Sequence, residues 1–201
     1  MNAFRRTLPL RGAVWLSAIT LVFCASANAA QSTSGFTPLL DKINARTSTA
    51  DQVALSKRDS GKPVLDTQRE ADVLARVRNE AAAHGLQPDD AQRFFSDQIE
   101  ANKWVQYGLL DRWHAIDKAP NKTRPDLAVV RKQLDQLQNE LLDALQAAEP
   151  LRKAPDCPHV AARAVSTYAT AHALDSLHRL ALVRGMANVC QGPQQQVAAT
   201  D

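Results

Sequence analysis

Glycine is scarce in this chain, and strand-like patterning is missing. Only 7 of its 201 residues are glycine, and no segment alternates apolar and polar residues as a half-buried strand does. Alanine, leucine, glutamine and charged residues dominate instead, and all of these are good or neutral helix formers. The sequence therefore predicts an all-α protein.

No apolar run is long enough to remain in a bilayer. The longest, Ala13 to Cys24, is too short for a permanent span. It follows three arginines and precedes the small-residue stretch Ala25 to Ala30. This order predicts a signal peptide over residues 1–30, cleaved after Ala29 or Ala30. The remaining domain, 31–201, is expected in the periplasm or outside the cell, without a membrane attachment.

The expected mature chain also lacks net charge. The full sequence has 24 Lys and Arg against 21 Asp and Glu, and residues 1–30 hold three of the basic residues and no acidic one. Removing them leaves 21 of each sign. A nucleic-acid-binding protein normally carries a basic stripe, and none is visible here. The 171 residues left after removing 30 from 201 are the size of one domain.

Three cysteines are present, and Cys24 would leave with the signal peptide. Cys157 and Cys190 then form an even pair in an oxidising compartment, so a disulfide is expected. A single straight helix between them would hold the sulfurs roughly 45 Å apart, whereas bonded cysteines need Cα atoms within about 7 Å. The segment must therefore fold back as a helical hairpin, with its reversal near residues 172–176.

Capping and stop residues divide the preceding chain into four helices. Thr37 and Pro38 are the expected N-cap and first helical residue of the first helix, and Gly61 and Gly85 end the first two helices. The expected spans are 37–57, 66–85, 88–114 and 126–148. Together with the hairpin they predict a single-domain bundle of about five to six helices.

Some side chains have expected environments that the structure can test. Trp104, Trp113 and Tyr168 are interpreted as packing residues. Arg152 and Lys153 follow Pro150 and are interpreted as an exposed pair of charges.

Two cations lie along the apolar side of the first predicted helix. Arg46 and Lys57 are eleven residues apart, about three turns, and project from nearly the same face. Asp66, Arg69 and Glu70 follow in the first turn of the next helix. A cation beside a buried face costs desolvation energy and usually has an anion as its partner. A solvated, salt-bridged surface is the alternative, since charged side chains are mostly exposed.

Two amides share the inward face of the third predicted helix. Asn102 and Gln106 are spaced i, i+4, on the stripe that Phe95, Ile99 and Leu109 mark as buried. Buried amides need partners, so the pair indicates either a structural polar network or a lined pocket. Taken with the cations, it favours a pocket for a small polyanionic organic molecule.

Other site chemistries lack their signatures. The five histidines show no metal-ligand constellation, since His172 and His178 are six residues apart and do not share a helix face. No GxSxG elbow is present, which argues against a hydrolase of that kind.

Three segments resemble the all-helical chorismate mutases: the run from Arg46 to Lys57, GKPVLDTQRE, and FFSDQIEANKWVQ. The leader, the cysteine pair and LDSLHRLAL resemble their secreted, periplasmic subclass. The resemblance implies an isomerase that converts chorismate to prephenate by a Claisen rearrangement, with no cofactor and no metal. It also implies a homodimer. The alternative is a non-catalytic periplasmic helical protein that binds small anions or acts as a chaperone.

The resemblance also implies roles for residues that contact the substrate's charged groups. Arg46 and Arg131 would bind its carboxylates, and Lys57 would contact a carboxylate and the ether oxygen. Gln106 would donate a second hydrogen bond to that oxygen. Arg131 has an alternative interpretation, because a residue flanking an apolar stripe is often a surface residue with a buried stem.

The other implied contacts shape the wall of the site. Glu70 would accept a hydrogen bond from the ring hydroxyl of the substrate. Asp66 and Arg69 would shape the wall beside it and add charge to it. Asn102 stands where relatives often have a serine or threonine that touches a carboxylate. Gln106 stands where some relatives have a glutamate, and Val73 replaces a glutamine found in some secreted relatives.

Overall fold

The computed structural model describes residues 35–123 and 126–192, so the predicted signal peptide lies outside the described residues. The described chain is all α-helical, as predicted, and contains no strand. No helix in it has the length and apolar character needed to cross a membrane. The helices are α1 (Thr37–Ser60), α2 (Thr67–Glu80), a 3-10 turn (Ala81–His84), α3 (Pro88–Ala115), α4 (Leu127–Ala147), α5 (Glu149–Arg152), α6 (Cys157–Ala171) and α7 (Ser176–Gly185).

Most helix boundaries fall where the local signals placed them. Gly61 ends α1 in the left-handed region at φ 66°, and its N–H donates to the Lys57 carbonyl. Asp66 caps α2 by accepting from the Arg69 N–H at 3.2 Å. The first boundary differs by one residue, because Phe36 occupies the N-cap position and Thr37 is already helical. The single-turn helix α5 is an addition to the predicted set.

Helix α1 runs through the middle of the bundle and packs against α3, α4 and α7. The larger hydrophobic cluster includes Leu40, Phe94 and Leu141, all buried, and draws on α1, α3, α4 and the C-terminal hairpin. A smaller cluster around Val105 and Trp113 fills the far end of α1 and α3. This packing holds α1, α2, α3 and α4 around a common space.

The C-terminal hairpin and its disulfide are confirmed. Helices α6 and α7 reverse direction across residues 172–175, and Asp175 caps α7 by accepting from the His178 N–H at 2.9 Å. The Cys157 and Cys190 sulfurs are bonded, with their Cα atoms 5.8 Å apart. The covalent link therefore closes the base of the hairpin.

The expectation that Arg152 is exposed is wrong. Its side chain is 0% exposed and forms an ion pair with Asp90, and its Nε donates to the Val189 carbonyl at 2.9 Å. Helix α5 directs Arg152 inward toward the first turn of α3, where Asp90 lies. Lys153 is exposed and pairs with Glu149, as expected for a surface charge.

The expectation that Trp104 packs in the core is also wrong. Its side chain is 46% exposed, whereas Trp113 and Tyr168 are buried as predicted. The inward face of α3 at this level is formed by Ala101 and Val105, which belong to the smaller cluster. Trp104 therefore projects from the flank of the helix.

Candidate active site

A cavity of about 320 Å³ lies between α1, α2, α3 and α4. This volume is at the lower end of the range typical of small-molecule sites. The structure brings every residue predicted to bind the substrate to its wall, namely Arg46, Lys57, Asp66, Arg69, Glu70, Asn102, Gln106 and Arg131.

The cavity wall is positively charged overall. Its lining includes six cations and three carboxylates. Lys62, Lys103 and Asp135 belong to this set although the sequence patterns did not single them out. The excess of three positive charges favours an anionic guest.

Arg46 is the most deeply placed of the cations. It is 7% exposed, and its guanidinium carbon lies 5.8 Å from the centre of the Phe95 ring. Burial, reinforced by the nearby charge of Arg69 and opposed by Asp135, lowers the pKa of Arg46 to about 10. Its Nε has no hydrogen-bond partner among the described residues. A largely buried guanidinium in the wall of a cavity is well suited to bind a carboxylate.

Lys57 reaches the cavity from the last turns of α1. Its Nζ donates to the Pro63 carbonyl at 2.5 Å, across the turn that Gly61 opens. An ammonium has three donors, so this contact fixes the position of Lys57 and leaves hydrogens for a ligand. The glycine turn therefore orients a cation as well as ending a helix.

The first turn of α2 carries Arg69 and Glu70 to the opposite wall. Asp66 holds this turn through its cap on the Arg69 N–H. Glu70 Oε2 accepts from Lys103 Nζ of α3 at 3.0 Å. The cap and this ion pair position Glu70 from two sides.

The two amides of α3 form a network and also line the cavity, so both interpretations of the pair hold. Asn102 Nδ2 donates to the Arg46 carbonyl at 3.1 Å and to Thr49 Oγ1 at 3.3 Å. Gln106 Nε2 donates to Asn102 Oδ1 at 2.8 Å. Gln106 Oε1 is buried without a partner among the described residues. The network leaves the second Nε2 hydrogen of Gln106 for another acceptor.

Helix α4 supplies the last wall, from the same chain. Arg131 is an exposed residue that also lines the cavity. Val73 of α2 also lines the cavity and gives the wall an apolar patch beyond Arg69. Asp135 lies nearby and pairs with Arg76 of α2 at 3.1 Å.

Lys103 is the lining residue that sequence reasoning missed most clearly. It follows Asn102 directly and pairs with Glu100 at i, i+3, a spacing that is typical of exposed helix surfaces. Its second partner, Glu70, lies 33 residues away in sequence. No local pattern indicates that contact.

In the described residues, no group of three or more His, Cys, Asp or Glu side chains is placed to hold a metal ion. An α-helical bundle around a cationic cavity is the arrangement expected of a helical protein that binds a small organic anion.

Comparisons with known proteins make this class more specific. The family model "Chorismate mutase type II" matches residues 37–107. The "Secreted chorismate mutase" of Mycolicibacterium smegmatis is 32% identical over 162 residues, covering 81% of this chain and 90% of the relative. That of Mycobacterium tuberculosis is 30% identical and covers 81% of each chain. The crystal structure of chorismate mutase from Burkholderia phymatum is 46% identical, with a TM-score of 0.78, over 80% of this chain and 98% of that one.

This chain belongs to the chorismate mutase family. Its relatives include members named as secreted. None of these comparisons favours the non-catalytic alternative.

Proposed function

We propose that the cavity binds chorismate and rearranges it to prephenate. The observation that carries this proposal is the convergence of Arg46, Lys57, Arg69, Arg131 and Gln106, from four helices, on one cavity of about 320 Å³. The substrate is a small organic dianion, and the cavity is small and cationic.

The reaction needs little chemistry from the protein. A C–O bond breaks while a C–C bond forms within one molecule, and no proton, nucleophile or cofactor takes part. The protein must hold the extended dianion in its compact reactive conformation, which is an orientational task. It must also stabilise negative charge that develops on the ether oxygen as the C–O bond lengthens.

Arg46 and Arg131 bind the two carboxylates in this proposal. The planar guanidinium meets a carboxylate with two parallel hydrogen bonds, which fixes orientation as well as charge. The assignment of Arg46 is supported by its deep burial and its place in the cavity wall. Asn102, whose amide hydrogens already bind the Arg46 carbonyl and Thr49, acts mainly by holding Arg46 and Gln106 in place.

Lys57 and Gln106 donate to the ether oxygen. The turn around Gly61 fixes the Lys57 ammonium, and the Asn102 amide fixes Gln106, so neither donor must reorganise as charge develops. Glu70 accepts a hydrogen bond from the ring hydroxyl. Asp66 holds the first turn of α2, and Arg69 adds a further positive charge beside the bound anion.

The proposal is tested by following chorismate disappearance by absorbance with purified protein. Wild type should turn chorismate over, and Lys57→Ala should lose about 10³-fold in kcat, because a donor to the developing oxyanion is gone. Lys42→Ala is the matched control, since Lys42 is on the same helix but pairs with Glu140 at the surface.

Circular dichroism should show both variants as helical as wild type. Activity of Lys57→Ala near the wild-type level would place the site elsewhere. Binding of chorismate by wild type without turnover would favour a non-catalytic anion-binding protein.

We also propose that residues 1–30 direct export and are removed after Ala29 or Ala30. The disulfide and the relatives named as secreted support an oxidising, extracytoplasmic location. Mass spectrometry of the protein from periplasm or medium should give an N-terminus at Ala30 or Gln31. A chain that retains Met1 in the cytoplasm would contradict the proposal.

A homodimer is proposed as well, with a complete cavity in each subunit. The cavity is lined by α1 to α4 of one chain and the segment joining α1 to α2. Sedimentation analysis should show the dimer, and activity per subunit should stay constant on dilution through its dissociation. Activity that falls with the dimer population would mean that a partner completes the site.

A further inference from the structure

Lys103 lines the cavity, but its ammonium is directed at two carboxylates. Its Nζ lies 3.0 Å from Glu70 Oε2 on α2 and 2.6 Å from Glu100 Oε1 on its own helix. Only 13% of the side chain is exposed. Two of its three donors are therefore used by protein groups.

The charge of Lys103 is well maintained. Desolvation by burial acts to lower its pKa, but the hydrogen bonds and charges of Glu100 and Glu70 outweigh it and raise the pKa above 10.5. Lys103 therefore remains a cation throughout the range in which the enzyme can be assayed.

Glu70 has an electrostatic problem in the proposed site. Its carboxylate lines the cavity that receives the substrate dianion, and the negative charges of the carboxylate and the substrate repel each other. A carboxylate bound by a lysine carries less effective charge toward the ligand. The lysine also fixes Oε2 of Glu70, which leaves Oε1 oriented to accept a hydrogen bond from a hydroxyl.

We infer that Lys103 is a positioning residue, which neutralises Glu70 and orients its free carboxylate oxygen toward the ring hydroxyl of the substrate. This inference rests on the proposed function and adds a residue to it. Lys103 acts through Glu70 and does not itself contact the substrate.

A structural ion pair is the alternative, and the chain offers a matched example. Lys42 of α1 and Glu140 of α4 also form a lysine–glutamate pair between helices, at 2.8 Å. That pair lies at the surface and does not line the cavity. The same substitution at Lys42 and Lys103 therefore separates loss of an interhelical ion pair from loss of the site's alignment.

The test is a double-mutant cycle on chorismate turnover, using Lys103→Met, Glu70→Ala and the double variant. Lys103→Met should raise KM about 10-fold or more, because Glu70 loses the lysine that orients it and with it the charge-assisted hydrogen bond to the ring hydroxyl. The same variant should change kcat little, because the ground state and the transition state use this hydrogen bond equally. Lys103→Arg should recover much of the loss, and Lys42→Met should match wild type.

In the Glu70→Ala background, Lys103→Met should change KM less than about twofold, since its effect passes through Glu70. If the effects of Lys103→Met and Glu70→Ala on KM multiply fully in the double variant, Lys103 acts independently of Glu70 and the inference is wrong. An unchanged KM in Lys103→Met alone would also overturn it. Lys103→Gln repeats the measurement if the methionine variant does not fold.

The inference and the proposed function fail in different ways. Wild type without chorismate turnover defeats both. Active wild type with a strongly impaired Lys57→Ala and an unaffected Lys103→Met defeats the inference alone.

Discussion

At the scale of single residues, the proposed mechanism gives the side chain at position 106 a direct effect on the pH dependence of catalysis. Gln106 is held by Asn102 and lines the cavity with Lys57. An amide donates a hydrogen bond at every pH, whereas a glutamate in the same place must be protonated to donate. In the proposed mechanism, the identity of this side chain therefore decides how the reaction depends on pH.

We expect kcat/KM of wild type to vary little between mildly acidic and neutral pH on account of this group. Gln106→Glu should lose activity as pH rises, by about 10-fold per unit once the carboxyl ionises, because only its protonated form donates. Measuring kcat/KM for both proteins across the range tests this. A flat profile for both would count against Gln106 as the donor to the ether oxygen.

The same scale shows which site residues the sequence could reveal. Arg46, Lys57, Asn102 and Gln106 lie on helix faces that a 3.6-residue period identifies, and all line the cavity. Lys103 was missed because its contact with Glu70 joins two helices, and its local pair with Glu100 is typical of a surface.

At the scale of elements, α7 is fastened to α1 by a histidine between two carboxylates. His178 Nδ1 lies 3.0 Å from Asp175 Oδ1, at the N-cap of its own helix. Its Nε2 lies 3.3 Å from Asp51 Oδ2 of α1. The hydrogen bond to Asp51, opposed by burial and reinforced by Asp175, raises the pKa of His178 to about 9.

This raised pKa predicts a pH-dependent stability. The folded state binds the His178 proton more tightly than the unfolded chain does. The contribution of protonated His178 to the free energy of unfolding is therefore complete below about pH 6.5 and is lost as pH rises through about 9. Urea unfolding at pH 6 and pH 9.5 should show a smaller free energy of unfolding at the higher pH. The decrease should be smaller in His178→Gln.

His159→Gln, on the exposed face of α6, serves as the control and should follow the wild-type profile. An equal decrease in wild type and His178→Gln would show that other groups cause the pH dependence.

At the scale of the whole molecule, the cavity and the disulfide belong to different parts of the bundle. The cavity is lined by residues between 46 and 138. The disulfide joins Cys157 to Cys190, and the buried Arg152 with Asp90 ties the same end of the chain to the start of α3. The C-terminal hairpin therefore supports the helices that carry the site without lining it.

We expect Cys157→Ala/Cys190→Ala to lower the free energy of unfolding by about 3–4 kcal/mol, from the loop of 33 residues that the bond closes. The variant should keep near wild-type kcat at 25 °C wherever it is folded. Urea unfolding and chorismate turnover measure the two effects, and dithiothreitol should destabilise wild type but not the variant.

A folded variant that has lost activity would contradict this separation of the hairpin from the site. A variant as stable as wild type would contradict the entropic role of the bond.

The sequence by itself determined the helices, the reversal of the C-terminal hairpin and the residues available for an anion site. Helical period, caps at Gly61 and Asp66, and the reach of a disulfide are local or covalent constraints, so they can be read along the chain. The tertiary structure alone decided that Arg152 is buried, that Trp104 is exposed and that Lys103 binds Glu70. These outcomes depend on which helices meet, because the partners are distant in sequence, 62 residues for Arg152 and Asp90.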